Sequence, residues 1–513
     1  MIPVAEAERR IAAAVRDVEQ RITVTMSAAI AELRTALAQA KQQIALLQSR
    51  LYGTRSEASA VVLTAEGQQV IDPAWGVPQA AAAAPAPEPE APARTRAART
   101  RGGLAQRHPS LRIEEADAEL PAELAEQVAA GAVTVRRGTY QDELVVEPGR
   151  AFIRRVFAQE IVTPTTGAVV LRIDVDRLVP GGDLADATIH GLVEGKALDA
   201  TPFHRQLARL ERSGVEIPKQ TVNDAVNAWG ETFAPLAAAI QAEVLSSPVV
   251  HADASWTRLQ AERACTRLHL WTLVGGGQVA YRITEDQRHE RARDLIPADF
   301  TGRLVTDAWP GWLKLPLGER LGLCNAHARR PFADWLKRDR TNPHALRIVT
   351  RYRDVARIEH LAEDGPPKEL LDRRRRLRHE RSRPVMADIR AEAERIAVAY
   401  PGSHHLADGA RYIIDYWDGL TRFLDHPELP PDNNAAENAL RINALIRKNS
   451  LFNGSLAAAH RDAIALTVFH SCRLQRILPA DYLSQVTPAL IRHRNGRKQN
   501  CSRLTPAAIA GTR

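Results

Sequence analysis

The sequence predicts a mixed α/β core with a helical insertion, preceded by an N-terminal coiled-coil helix, a small β unit and a helix-turn-helix-like segment. Three observations predict it. A stretch free of Gly and Pro carries apolar residues at threes and fours. A later stretch alternates apolar and polar residues. Further on, three hairpin-linked strand patterns lead into a helix and then more strands.

Residues 1–57 read as the coiled-coil helix. Ile11, Val15, Val18, Ile22, Met26, Ile30, Leu33, Leu37, Ala40, Ile44, Leu47 and Leu51 form its seam, with one stutter between Ile22 and Ile30, and the helix stops at Gly53. Its length and polar opposite face predict self-association, at least to a dimer. Residues 58–103 turn Pro/Ala-rich and then Arg-rich, a composition that buries no core and reads as a disordered linker. Residues 104–180 hold alternating segments, among them Phe152–Phe157 and Val169–Ile173, and read as a small β unit.

Within 181–245 the spacing becomes helical. One helix ends at Gly214 and the next starts after Pro218 with Lys219, Gln220 and Thr221, the layout of a helix-turn-helix or of an ordinary helical corner. Residues 246–455 form the core. Strands are expected over 247–259, 263–273 and 278–283, with Gly275-Gly276-Gly277 as a hairpin turn, then a helix over 290–295 and strands near 303–307 and 321. That order is the order of a ribonuclease-H-like sheet, in which the first and fourth strands are neighbours. A very basic helical insertion occupies about 338–425, with Arg373, Arg374, Arg375 and Arg376 in one run and Arg378, Arg381 and Arg383 after it. Residues 456–513 read as a C-terminal helical tail.

Two acids fall on neighbouring strands of that topology: Asp253 inside the first and Asp307 at the end of the fourth. Asp253 follows Val249, Val250 and Ala252, where an unpartnered carboxylate is costly to bury. Glu437 supplies a third acid in the first turn of a helix capped by Asp432 or Asn433, with Arg441 four residues on to pair with it or to reach phosphate. Three carboxylates suffice to hold two Mg²⁺ or Mn²⁺ ions, the arrangement that stabilises both oxygens of a phosphodiester displacement.

Composition is that of an ordinary globular protein, 45% hydrophobic and 25% charged over 513 residues. With 69 Lys+Arg against 61 Asp+Glu the formal net charge is +8, a mild pointer to an anionic partner. Four cysteines without a CxxC pair exclude a disulfide-stapled fold, and Cys324 with His327 lacks a second pair, so no zinc is expected. No membrane span and no signal peptide are expected, which predicts a cytoplasmic, nucleoid-associated protein.

Several segments together carry a family resemblance: 44-IALLQSRLYGTRSE-57, 200-ATPFHRQLARLERSGVEIPKQTV-222, 250-VHADASW-256, 303-RLVTDAWPGW-312, 324-CNAHARRPF-332, 433-NNAAENALR-441 and 447-RKNSLFNGS-455. In these the chain resembles transposases of the insertion sequence 66 (IS-66) family, which carry a DDE-type catalytic domain. The resemblance implies that Asp253, Asp307 and Glu437 are the catalytic, metal-holding acids and that His327 and Arg330 line the site. It implies DNA contacts by Arg447, Lys448 and Asn449. The basic residues Lys219 and Arg373 to Arg376 are expected on DNA as well. The expected partners are the element's terminal inverted repeats, target DNA, a second copy of the chain and small accessory proteins of the element.

The sequence departs from the family pattern at Ala254, at Ala308-Trp309 and at Asn438, Ile446, Ser450 and Asn453. Residues 104–180 also lack the cysteines of the zinc-binding module that relatives carry there. The same acids would also serve a nuclease or resolvase without strand transfer, and the departures would suit a decayed DNA-binding relic.

Overall fold

A computed structural model describes residues 61–63, 69–71, 103–109, 111–147, 150–162, 169–173, 176–260, 265–400, 402 and 404–511. The coiled-coil expectation over 1–57 and most of the linker lie outside these residues. Residues 1–99 and 100–513 form two separate units. In the first, Val61–Leu63 and Gln69–Ile71 pair antiparallel inside the stretch expected as linker.

The second unit begins with a four-stranded sheet of β1 (Ile113–Asp117), β2 (Thr134–Glu147), β3 (Arg150–Val162) and β4 (Val169–Ile173). Antiparallel β2 takes one edge of β3, while parallel β1 and antiparallel β4 pair with successive stretches of it. The helices α1 (Asp186–Ala197), α2 (Phe203–Arg212) and α3 (Lys219–Leu245) follow. The second helix of the expected helix-turn-helix is no short recognition helix. It runs for 27 residues because its apolar spacing continues through Trp229, Phe233, Leu236, Ile240 and Val244, all buried in the main core. Lys219 stays exposed at its start.

The central sheet contains β5 (Val249–Gln260), β6 (Cys265–Gly275), β7 (Gln278–Thr284), β8 (Arg303–Thr306) and β9 (Leu321–Leu323), with α4 (Glu290–Leu295) between β7 and β8. Strand order is β9-β8-β5-β6-β7. The β5–β6–β7 hairpins are antiparallel, whereas β8 runs parallel to both β5 and β9. Gly276 and Gly277 form the two-residue β6–β7 turn with φ of 58° and 71°, a left-handed pair that suits a type I′ turn. The chain is thus a mixed α/β protein, as the sequence predicts.

The insertion packs in a second core cluster shared with α5 (Asn325–Trp335) and with Val305 and Leu323 of the central sheet. Its helices are α6 (Pro343–Glu363), α7 (Leu370–Leu377), α8 (Arg383–Ala399) and α9 (His405–Asp415), of which α6, α8 and α9 contribute Ile348, Met386, Ile389, Ile396 and Ile413 around Phe332. The chain then returns as α10 (Asn434–Ser450), α11 (Leu456–Leu474) and α12 (Pro479–Arg494). The latter two fall in the stretch read as a tail, yet they contribute Phe469, Cys472, Tyr482, Leu483 and Val486 to the main core. On α11, Ser471 accepts from the Val279 N–H at 3.1 Å and donates to the Val279 carbonyl at 3.0 Å, and Thr467 accepts from the Tyr281 N–H. Side chains therefore satisfy the outer edge of β7, which has no strand partner beyond it among the described residues.

Candidate active site

The three predicted acids come from three elements. Register pairs Leu304 of β8 with Val250 of β5 and Val305 with His251, so that, carried two residues further, Asp307 comes level with Asp253. Glu437 sits in the first turn of α10. The anchor of that helix is Asn433, which is fully buried. Its Nδ2 donates to the Ala252 carbonyl at 2.8 Å, its Oδ1 lies 3.2 Å from His251 Nδ1, and its N–H donates to Cys324 Sγ at 3.2 Å. Asn433 stands at the N-cap position without capping; the adjacent Asp432 accepts from the Asn434 N–H instead. The Asn433 amide thus ties the start of α10 to the strand that bears Asp253.

Burial, with the nearby Asp307 and Glu437 adding to it, pushes the Asp253 carboxyl up to about 7. The Ala254 N–H, which donates to Asp253 Oδ1 at 2.7 Å, and Arg330 act in the opposite direction. Asp307 Oδ1 accepts from the Trp309 N–H at 3.2 Å. Trp309 packs with Trp271 and Trp312, ring centroids 5.3–5.5 Å apart, and a Cβ on Gly311 would meet its ring at 1.8 Å. Of the substituted pair, Trp309 therefore belongs to an aromatic cluster beside Asp307, while Ala308 packs against the insertion's core.

Glu437 meets Arg330 and His327 rather than Arg441. Arg330 donates to Oε2 at 3.4 Å, and His327 Nδ1 lies 3.4 Å from Oε1. Both that Nδ1 and that Oε1 are buried without a hydrogen-bond partner among the described residues. Burial lowers the His327 pKa, with Arg330 adding to the fall and Glu437 and Asp307 opposing it. Cys324, at the end of β9, is buried and its thiol is pushed up to about 11, chiefly by desolvation. The sequence pattern brought out Cys324 and His327 as a spaced pair. It did not show that Glu437 closes on them, because nothing local connects residue 437 to residue 324.

The predicted cations divide. Arg447 donates to the Trp256 carbonyl at 2.8 Å and to Ser255 Oγ at 3.3 Å, and lies over the Trp256 ring. Asn449 donates to the Ala200 carbonyl, while Lys448 is exposed. Arg373 donates to the carbonyls of Ala362 and Pro366, and Arg374 pairs with Glu359 and Glu363. Arg375 pairs with its neighbour Asp372, and Arg376 is exposed. Arg378 corrects the picture of one cationic face. It is wholly buried, bidentate to Glu359 at 2.7 and 2.6 Å, with a further bond to the Phe423 carbonyl.

The donor chemistry suits hard divalent ions: three carboxylates lie close enough to repel one another, and one buried Glu437 oxygen has no donor. Among the described residues no helix is long and apolar enough to cross a membrane.

The chain is similar to uncharacterized protein y4hP of Sinorhizobium fredii (strain NBRC 101917 / NGR234), 30% identical over 319 residues that cover 57% of each chain. It is also similar to uncharacterized proteins y4jD and y4qI of the same organism, each 27% identical, covering 61% and 62% of this chain and 64% and 61% of theirs. The chain thus spans less than two thirds of the length of these relatives. Residues 184–461, more than half of the sequence, match the profile described as Transposase IS66 family. The chain belongs to the Transposase IS66 family.

Proposed function

We propose that the protein is a DNA transposase of the DDE type, built on a ribonuclease-H-like sheet, with Asp253, Asp307 and Glu437 as its catalytic acids. The observation that carries the reading is that register and helix start bring three carboxylates from β5, the end of β8 and α10 to one place, where burial, with Asp307 and Glu437 adding, raises the Asp253 carboxyl to about 7 despite Arg330 and the Ala254 N–H. Two Mg²⁺ or Mn²⁺ ions held by the three acids would supply charge stabilisation at the attacking and leaving oxygens of the phosphodiester.

The protein's own groups orient the DNA. Arg330, half exposed beside Glu437, offers its guanidinium to the phosphate next to the reacting one. Lys448 and Lys219, both exposed, present their ammonium groups to the backbone of the element end. Arg447 and Asn449 act from within: by holding β5 and the segment around Ala200 against α10, they fix where Lys448 points. Arg375 and Arg376 are the members of the basic run that face solvent and reach DNA from the insertion. The coiled coil expected over residues 1–57 would join copies of the chain, so that two element ends are held together.

In this reading a water frees a 3′-hydroxyl at the element end, and that hydroxyl attacks target DNA. Asp253→Asn is expected to bind end DNA as the native protein does and to lose Mg²⁺-dependent cleavage and joining by at least about a thousandfold. Joining at the native rate would overturn the assignment. End cleavage by the native protein without joining would make it a nuclease instead.

A further inference from the structure

We propose that Cys324, His327 and Glu437 form a binding site for a thiophilic divalent transition-metal ion of the zinc class, distinct in chemistry from the three-carboxylate site. The donor atoms of the three residues all lie within 4.8 Å of one another. Cys324, the N-cap residue of α5 just past β9, and His327 in the first turn of that helix meet Glu437 from the first turn of α10.

Two observations point to an ion rather than to simple packing. His327 Nδ1 and Glu437 Oε1 face each other at 3.4 Å, yet both are buried and neither has a hydrogen-bond partner. Two ligands of one tetrahedral ion, each about 2.0–2.1 Å from it, are separated by about 3.3 Å, so this pair already has the spacing that a shared ion requires. The sulfur, in turn, is surrounded by donors. The Asn433 N–H points at it from 3.2 Å, and the backbone N–H groups of Ala326 and His327 bond to it at the start of α5. Such N–H groups complement a thiolate bound to a metal.

Closing the set around one ion asks for a side-chain shift of about 1 Å from the widest donor separation, and leaves a fourth position for water. On binding, the thiol proton is released to solvent and the sulfur–metal bond forms, with no change of oxidation state. A thiolate and an imidazole select zinc-class ions over Mg²⁺, which prefers oxygen. Because Glu437 belongs to both sets, an ion in this site draws a ligand away from the three acids. Arg330, on the other carboxylate oxygen, leaves Oε1 free for it.

The test is a titration of the full chain with Co²⁺, read by the near-ultraviolet thiolate-to-cobalt absorption and by displacement with Zn²⁺. One thiolate-bound ion per chain is expected from the band. Cys324→Ser should abolish the band, and His327→Gln should weaken Co²⁺ binding roughly tenfold or more. Cys265→Ser and Cys501→Ser should keep the band, and so should Asp253→Asn, which removes a ligand of the carboxylate site only. Circular dichroism of each variant reports whether it folds. If Cys324→Ser does not fold, the part-exposed His327 carries the test, and unchanged affinity in His327→Gln overturns the proposal. So does the absence of any thiolate band, its survival in Cys324→Ser, or its loss in Asp253→Asn.

Discussion

His190 shows what a single buried side chain does to this protein. The Trp229 indole donates to its Nδ1 at 3.0 Å, so the ring's proton sits on Nε2 and is shared with Thr487 Oγ1, also at 3.0 Å. Full burial lowers its pKa to about 3. The depressed value means that stability is complete above the unfolded pKa of about 6.5 and falls as the medium is acidified below it. Between pH 7.5 and 5.5 His190 should cost the fold about 1.4 kcal/mol. Urea unfolding of native protein and His190→Gln at both pH values checks this: the variant should lose correspondingly less on acidification. Asp253 was legible at this scale because an acid among Val249, Val250 and Ala252 violates strand chemistry. Asn433 was legible only as a cap, since its actual partners on Ala252, His251 and Cys324 lie far away in sequence.

Elements depend on contacts of the same long-range kind. The basic run that ends α7 looks in sequence like one cationic surface, but the helix turns Arg378 inward onto Glu359 of α6. Removing one partner of a buried pair leaves the other charge uncompensated, so Arg378→Met should destabilise the insertion by about 3–5 kcal/mol. Arg375→Ala, which loses only a surface pair with Asp372, should change stability by less than about 0.5 kcal/mol. Denaturant midpoints of the two variants separate these outcomes. At the edge of the central sheet, Ser471→Ala would orphan the Val279 N–H and should cost about 1–3 kcal/mol in the same assay. Helix and strand positions from 247 to 335 followed the sequence patterns because apolar period and turn glycines act locally. The length of α3 and the burial of α11 did not, because both depend on which distant faces cover them.

For the molecule as a whole, the distribution of free charge matters more than the net +8. Lys219 and Lys448 are exposed, whereas Arg373, Arg374, Arg378 and Arg447 bond to the protein itself. Lys219→Ala and Lys448→Ala should each flatten the dependence of DNA affinity on salt by about 0.9 in logarithmic slope, measured by anisotropy on end DNA from low to physiological salt. A substitution that leaves the slope unchanged would remove that lysine from the interface. The sequence by itself determined the family, the mixed α/β class, the pairing of the strands that lead to Asp253 and Asp307, and the turn between β6 and β7, since apolar period, glycine and short motifs are properties of neighbouring residues. Tertiary structure alone decided which cations remain free, that Arg330 rather than Arg441 meets Glu437, and that Cys324, His327 and Glu437 converge. Those outcomes depend on burial and on partners a hundred or so residues away, and a charged side chain takes its role from whatever the fold brings against it.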